Sequence, residues 1–256
     1  MRQAMQDDTG RQFYIGIDDT DNLESHGTGR IVRSLAEQME ANNLGAIHGI
    51  TRHQLLVHPD IPYTSHNSSA CVFLTSPSDV ATLSRFAGGY LESQSASGSD
   101  PGLCVAETQR VTPEAVRFGF DAKTRVICME EAYAVASAAG LHLSGHGGSN
   151  QGIIGALAGV GLRHSGRDGR FLWLPVIREM SGAWSAKDVL EKSGVRRFLA
   201  VNSQRLPGPE DLIEMGDWVR PVLQGNEPTL LLQLTEDKEK GRSRWCAVEK
   251  DIVKQY

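Results

Sequence analysis

Apolar and polar positions follow two rhythms along this chain. Residues 13–17, Phe-Tyr-Ile-Gly-Ile, form a short apolar run that stops at acidic residues. That predicts a buried strand ending at Asp18. From Thr28 to Ala41 the apolar residues Ile31, Val32, Leu35, Ala36 and Met39 recur at helical spacing. The first unit therefore reads as strand, acidic turn, glycine-flanked loop and helix.

The same rhythms continue downstream. Strands are expected at Ala46–Gly49, Ser69–Leu74 and Leu103–Ala106, and an irregular loop at Pro59–His66, which holds two prolines. A helix is expected over Pro77–Leu91, opened by Pro77 and Ser78. The Ser/Gly-rich stretch 93–102 predicts a surface loop or a boundary. Thr112-Pro113-Glu114 opens another helix, with a threonine cap and proline at the first helical position. Val126–Ala139 is a further helical pattern. Residues 144–161 are dense in glycine and predict a loop leading into a closely packed helix from about Gly152 to Val160. Later strands are expected at Phe171–Val176, Val195–Val201, Thr229–Leu234 and Trp245–Val248, the last paired across the charged turn Glu236–Arg244. The fold class this predicts is α+β in two subdomains, each a small sheet covered by helices, residues 1–115 and 116–256. A single parallel Rossmann sheet is the rival that the glycine loops keep open.

Composition changes this picture little. The 256 residues suffice for two small cores, and a formal net charge of -5 argues against RNA contact over the whole surface. Cys71, Cys104, Cys128 and Cys246 form no C-x-x-C pair, which removes a cysteine zinc site and suits a reducing cytoplasm. The polar N-terminus has no signal-peptide core, and no apolar run is long enough to span a membrane. A cytoplasmic protein is expected, with no membrane partner and with homo-oligomerisation left open.

Candidate chemistry lies at four places. Asp18, Asp19 and Asp21 crowd three carboxylates into four residues at a strand end. Such carboxylates repel one another unless a cation neutralises them, and Mg²⁺ is the hard, oxygen-seeking cation that keeps room for phosphate. An acidic turn is the plainer alternative. Next, Gly27-Thr28-Gly29-Arg30 enters a helix, where backbone N–H groups attract anions; the alternative is a flexible turn with Thr28 as helix cap. Third, Arg52-His53-Gln54 and the segment through His66 and Asn67 offer donors for phosphate or substrate oxygens, or simple loop capping. Last, His146, Gly147, Gly148, Ser149, Asn150 and Gly152 form a glycine loop that can cradle an anion or a substrate, with Gly155 and Gly159 placed for packing.

Three strings, I-G-I-D-D-T-D, then R-H…H-P-D-I-P-Y-T with H-N-S-S-A, then G-G-S-N-Q-G-I-I-G-A-L-A-G-V-G, stand in one order. Together they resemble the archaeal tRNA-isoleucine agmatinylcytidine synthetase family over roughly residues 13–235. The resemblance implies an N-terminal kinase-like domain and a ferredoxin-like domain. It implies ATP and Mg²⁺ as cofactors, and phosphorylation of the C2 oxygen of a tRNA cytidine, which agmatine then displaces. Phosphorylating a carbonyl oxygen turns it into a leaving group, with the charge handled by metal and fixed donors. The match carries the metal and catalytic role to Asp18, Asp19 and Asp21. It carries a nucleotide or substrate role to His66, Asn67 and the loop Gly147–Gly152. Two departures stand out. The family's glycine-x-Cys-Thr-Thr is Gly27-Thr28-Gly29-Arg30-Ile31 here, and zinc-ribbon cysteines are absent. The expected activity is ATP-dependent phosphoryl transfer to an oxygen of a nucleoside or small polar molecule, with tRNA as the family's own substrate. The alternative is a nucleotide- or metal-binding module without turnover.

Overall fold

The computed structural model describes residues 10–25, 27–61, 67–237 and 242–256. The expected site residue His66, most of the proline-containing loop and part of the 236–244 turn lie outside those residues. The chain divides into two compact units between His164 and Ser165. The boundary expected at 115/116 falls elsewhere for a physical reason. It lies inside one helix, Pro113–Asp121, which packs on the glycine-rich helix Gly152–His164.

The first unit is built on five strands: β1 (Arg11–Asp18), β2 (Ala46–Gln54), β3 (Ser68–Ser76), β4 (Gly102–Glu107) and β5 (His142–Gly145). Their order is β5-β4-β1-β3-β2, and every pairing is antiparallel. This unit therefore has no parallel Rossmann sheet and fits an α+β class. Helices α1 (Thr28–Ala41), α2 (Val80–Gln94) and α5 (Gly152–His164) pack against strands of this sheet, while α3 (Pro113–Asp121) packs on α5 and α4 (Met129–Ala139) on α3, α5 and β5. Side-chain parity along β1 separates two layers. Tyr14 shares a core with Cys71, Cys104, Phe118 and the buried face of α5, while Phe13, Ile15 and Ile17 alternate with it and are fully buried.

Several expected boundaries shift. α1 matches its expected limits, because the Val32, Leu35, Ala36 and Met39 stripe is what it buries. α2 starts at Val80 rather than Pro77, because the Asp79 carboxylate accepts from Thr82 N at 2.8 Å and is the better cap. α3 opens as expected, with the Thr112 hydroxyl oxygen accepting from Ala115 N. α4 starts at Met129, not Val126. The 93–102 stretch holds the expected loop, trimmed at both ends: α2 runs to Gln94 and β4 begins at Gly102.

α5 lies close to the sheet because glycine stands on both sides. A Cβ on Gly16 would sit 2.0 Å from the Ala156 carbonyl oxygen, and one on Gly102 would sit 2.0 Å from the Gly152 backbone. Gly16 is paired with Cys71 on β3 and Cys104 on β4. Both thiols are buried and held above the ordinary range by that burial, Cys71 up to about 12. They are small core residues without thiolate character.

The second unit carries β6 (Arg170–Trp173), β7 (Gly182–Ser185), α6 (Ala186–Lys192), β8 (Arg197–Ala200), β9 (Leu212–Met215), β10 (Val222–Gln224), β11 (Glu227–Asp237), β12 (Arg242–Ala247) and α7 (Lys250–Val253). β11 is its spine. It pairs antiparallel with β10 and β12 and parallel with β8. Phe171, Ile177, Val189, Ile213, Leu230, Leu232 and Trp245 fill the core. Among the described residues no helix is long and apolar enough to cross a membrane.

Candidate functional site

The candidate site grows from the end of β1. Asp18 is the last strand residue, on the same parity as Gly16, and so on the face that α5 covers. Its carboxylate fits only because α5 has glycine at 155, where a Cβ would lie 1.7 Å from Asp18 Oδ2. The chain then turns sharply. Asp19 has φ 54, in the left-handed region that Asp tolerates better than most side chains, and its N–H donates to Asp18 Oδ1 at 2.9 Å.

Burial and crowding push these acids up. The Asp18 carboxyl rises to about 7, through burial first and the Asp19 and Asp21 charges after it; the Asp19 N–H and the Arg52 guanidinium pull the other way. Asp19 rises to about 6, through burial and then the charges of Asp100 and Asp21. The first turn of α5 lies against Asp18, so its N-terminal N–H dipoles add an attraction for negative charge. A second positive charge placed among these oxygens would relieve the repulsion.

The loop 27–30 is tied to this cluster by one hydroxyl. Thr28 Oγ1 donates to Asp21 Oδ1 at 2.8 Å, and the same carboxylate oxygen accepts from Thr28 N at 3.3 Å. The buried Thr20 hydroxyl donates to Thr28 Oγ1 at 3.1 Å. Thr28 is the first residue of α1 and Gly27 its N-cap, without a side-chain cap of its own. The expected alternative of Thr28 as helix cap is thus corrected: Asp21 supplies the capping oxygen and Thr28 is held by it. Gly29 is half-buried, and Arg30 is exposed, with no ion pair among the described residues.

The glycine loop reaches the same cluster through a carboxylate that sequence reasoning did not single out. Asp100 accepts from both the N–H and the hydroxyl of Ser149, the latter at 2.9 Å. Its backbone oxygen accepts from Gly152 N at 3.1 Å. Gly148, at φ 54, has no room for a Cβ, which would overlap Asp100 Oδ1. Asp100 in turn is one of the charges acting on Asp19. Asn150, at φ 63, packs its side chain against Gly145, and Asn150 N donates to the Gly147 carbonyl.

The third constellation divides. Arg52 acts on Asp18 and donates from Nε to Ser68 Oγ at 2.8 Å. Asn67 is engaged in its own loop: Nδ2 donates to the Leu56 carbonyl at 2.5 Å, and its carbonyl accepts from Leu55 N and from Gln54 Nε2. That is the loop-capping arrangement. His53 is buried and bonds the Thr51 hydroxyl at 2.8 Å. The only sequence signal for Asp100 was its place in the Ser/Gly-rich stretch before β4. Among the described residues, no three His, Cys, Asp or Glu side chains are arranged to hold a metal ion by themselves.

No family model matches the sequence, and neither does any curated protein. Solved structures do match. One is TiaS in complex with a tRNA and ATP, 25% identical over 59% of this chain and 36% of that one, with a TM-score of 0.53. The chain has a TiaS-like fold. A structure described as a tRNA fluorescent labeling enzyme is 26% identical, with the same shares covered and a TM-score of 0.52. Apo TiaS, a tRNA agmatidine synthetase, adds agreement in fold alone, at 24% identity and a TM-score of 0.51 over 59% of this chain and 35% of that one. The chain spans little more than a third of the length of these TiaS structures.

Proposed function

We propose that the end of β1 is a Mg·ATP site and that the chain transfers a phosphoryl group to an oxygen of a nucleoside or small polar acceptor. The observation that carries this is the crowding at Asp18: a carboxylate pressed into a glycine niche of α5, with the charges of Asp19 and Asp21 acting on it and those of Asp100 and Asp21 acting on Asp19. The likeness to a TiaS structure that holds ATP supports the nucleotide half.

The donor set fits magnesium although no three-carboxylate cage exists among the described residues. Mg²⁺ is usually held by one or two carboxylates, with waters and substrate phosphates completing the octahedron, so a full protein cage is not required. Asp18 and Asp19 are the carboxylates most in need of a cation; Asp21 adds charge but is engaged with Thr28. Bound there, the ion would neutralise charge on the phosphates. The chain's own residues do the rest. Arg52 offers a fixed positive charge on the β2 side of Asp18. Thr28, clamped between Thr20 and Asp21, sets the backbone of Gly27, Gly29 and Arg30 at the start of α1, where N–H groups suit an anion. The Gly147–Gly152 loop, closed on Asp100, supplies the opposite wall.

The acceptor is the open half of the proposal. The TiaS structure that holds a tRNA makes a tRNA one candidate acceptor. The departure at Gly27-Thr28-Gly29 from the pattern expected of that family, and the net charge of -5, favour a nucleoside or small molecule instead. The test is isothermal titration with ATP in the presence and absence of Mg²⁺, followed by product analysis with cytidine, with tRNA and with agmatine. Phosphorylated or agmatine-linked product supports transfer. ATP binding with no product across these acceptors supports a binding module instead.

A further inference from the structure

The glycine loop has an anchor that the Mg·ATP assignment does not use. His142, Ser144 and His146 alternate along the edge strand β5 and its exit, so the pleat puts them on one side. They form a chain. His142 Nε2 lies 2.9 Å from Ser144 Oγ, and Ser144 Oγ lies 2.8 Å from His146 Nε2. His146 Nδ1 lies 3.0 Å from Glu92 Oε1, on α2. With both imidazoles neutral, proton counting fixes its direction. A carboxylate only accepts, so His146 donates from Nδ1 to Glu92 and its Nε2 is an acceptor. Ser144 then donates to His146 and accepts from His142. Each partner is satisfied once, and the His146 ring is held at both nitrogens.

The ring is also held by shape. α2 has glycine at 88, where a Cβ would stand 2.5 Å from His146 Cε1. The imidazole side chain is only 12% exposed. His146 N donates to the Pro101 carbonyl, beside Asp100. The next three residues, Gly147, Gly148 and Ser149, are the part of the loop that wraps the Asp100 carboxylate. Two consecutive glycines leave that backbone with little stiffness of its own. A fixed side chain at its entrance is what keeps Ser149 on Asp100.

We propose that Glu92, His146, Ser144 and His142 form a positioning relay that sets the glycine loop 147–150 against Asp100, and thereby the wall of the Mg·ATP site. It rests on that site assignment for its functional consequence but not for its structural one. Removing the anchor frees Ser149 from Asp100, which leaves an uncompensated carboxylate beside Asp19 and a nucleotide wall that must be ordered on binding.

Two measurements on the full chain test this. The first is hydrogen exchange of the 145–153 backbone in metal-free protein. Glu92→Ala and His146→Ala are expected to speed exchange there by about tenfold, while Glu92→Gln, whose carbonyl still accepts the Nδ1 proton, stays near wild type. The second is Mg·ATP affinity. His146→Ala and Glu92→Ala are expected to weaken it by roughly tenfold, with Glu92→Gln rescuing it, the range seen when an outer partner of a site is lost. If loop exchange is the same in all four proteins, the relay is overturned, whatever ATP does. If exchange responds but the affinity of a protein that binds Mg·ATP does not, the positioning role is overturned. If wild type binds no Mg·ATP, the site assignment fails, and the relay is then judged on exchange alone. Equal losses for Glu92→Gln and Glu92→Ala contradict the hydrogen-bond basis.

Discussion

Two glycine-flanked loops, 27–30 and 145–152, look alike in sequence, since each precedes a helix and each could cradle a phosphate. The structure ties them to the aspartates in different ways. The first is tied locally: Thr28 bonds Asp21, seven residues away. The second is tied at long range: Ser149 bonds Asp100, forty-nine residues away, and the helix behind it meets Asp18 at a glycine. A local tie shows in the sequence as a hydroxyl close to an acid. A long-range tie shows only once β4 and α5 are laid beside β1. The first loop depends on one hydroxyl, the second on the close packing of two backbones.

That difference sets the scale of what breaks each one. Gly102→Ala drives a Cβ into the backbone at the start of α5, where nothing flexible can yield. A loss of roughly 3 kcal/mol or more is expected in denaturant unfolding. If Gly102→Ala costs under about 1 kcal/mol, the packing account of the second loop is wrong.

The next effect sits between the loops. Asp18 and Asp19 carry carboxyls raised to about 7 and about 6 from 3.8. The folded state therefore holds their protons more tightly than the unfolded state does. The stability they contribute is present below about pH 4 and is lost as pH rises through 6 and 7. Metal-free Asp18→Asn should then melt above wild type at pH 7.5, by about 1–3 kcal/mol, and with no such gain at pH 4. The comparison with wild type matters because His142 and His164, whose imidazoles burial holds low, act in the opposite sense in both proteins. A variant that melts below wild type at pH 7.5 gives Asp18 a structural role.

Smaller effects separate the two ties. Thr28→Ala removes the hydroxyl from Asp21 and should lower stability by about 1 kcal/mol, with Thr28→Ser restoring most of it. Ser149→Ala breaks only an exposed bond to Asp100, and about 0.5 kcal/mol is expected in the same chemical unfolding series. A larger loss for Ser149→Ala than for Thr28→Ala would reverse the comparison.

Much of this architecture was legible in the chain. The apolar run before Asp18 and the Ile31–Met39 stripe marked β1 and α1, because burial on one side writes itself into spacing. The glycines at 155 and 159 marked close packing, and the structure sets them against Asp18 and Ser69; Gly152, read as part of the substrate loop, packs on the Gly102 backbone. The short strand β5 was not legible: His142-Leu143-Ser144-Gly145 lies at a sheet edge, with no buried side chain to give it a pattern. Nor were β7, β9 and β10, short strands of the second unit. The division at His164 was missed because the expected boundary at 115/116 fell ahead of α5, while the observed division follows which helices share a core with β1. Asp100 was missed because its meaning lies in partners that are distant in sequence.

The most direct measurement is calorimetric titration of wild type and Asp18→Asn with ATP, with and without Mg²⁺, alongside melts of both proteins. The account expects wild type to bind ATP only with Mg²⁺, and Asp18→Asn to lose that binding while melting no lower than wild type at pH 7.5. Wild-type protein that is folded and binds no Mg·ATP, or an Asp18→Asn variant that binds it as wild type does, would contradict the assignment of the site.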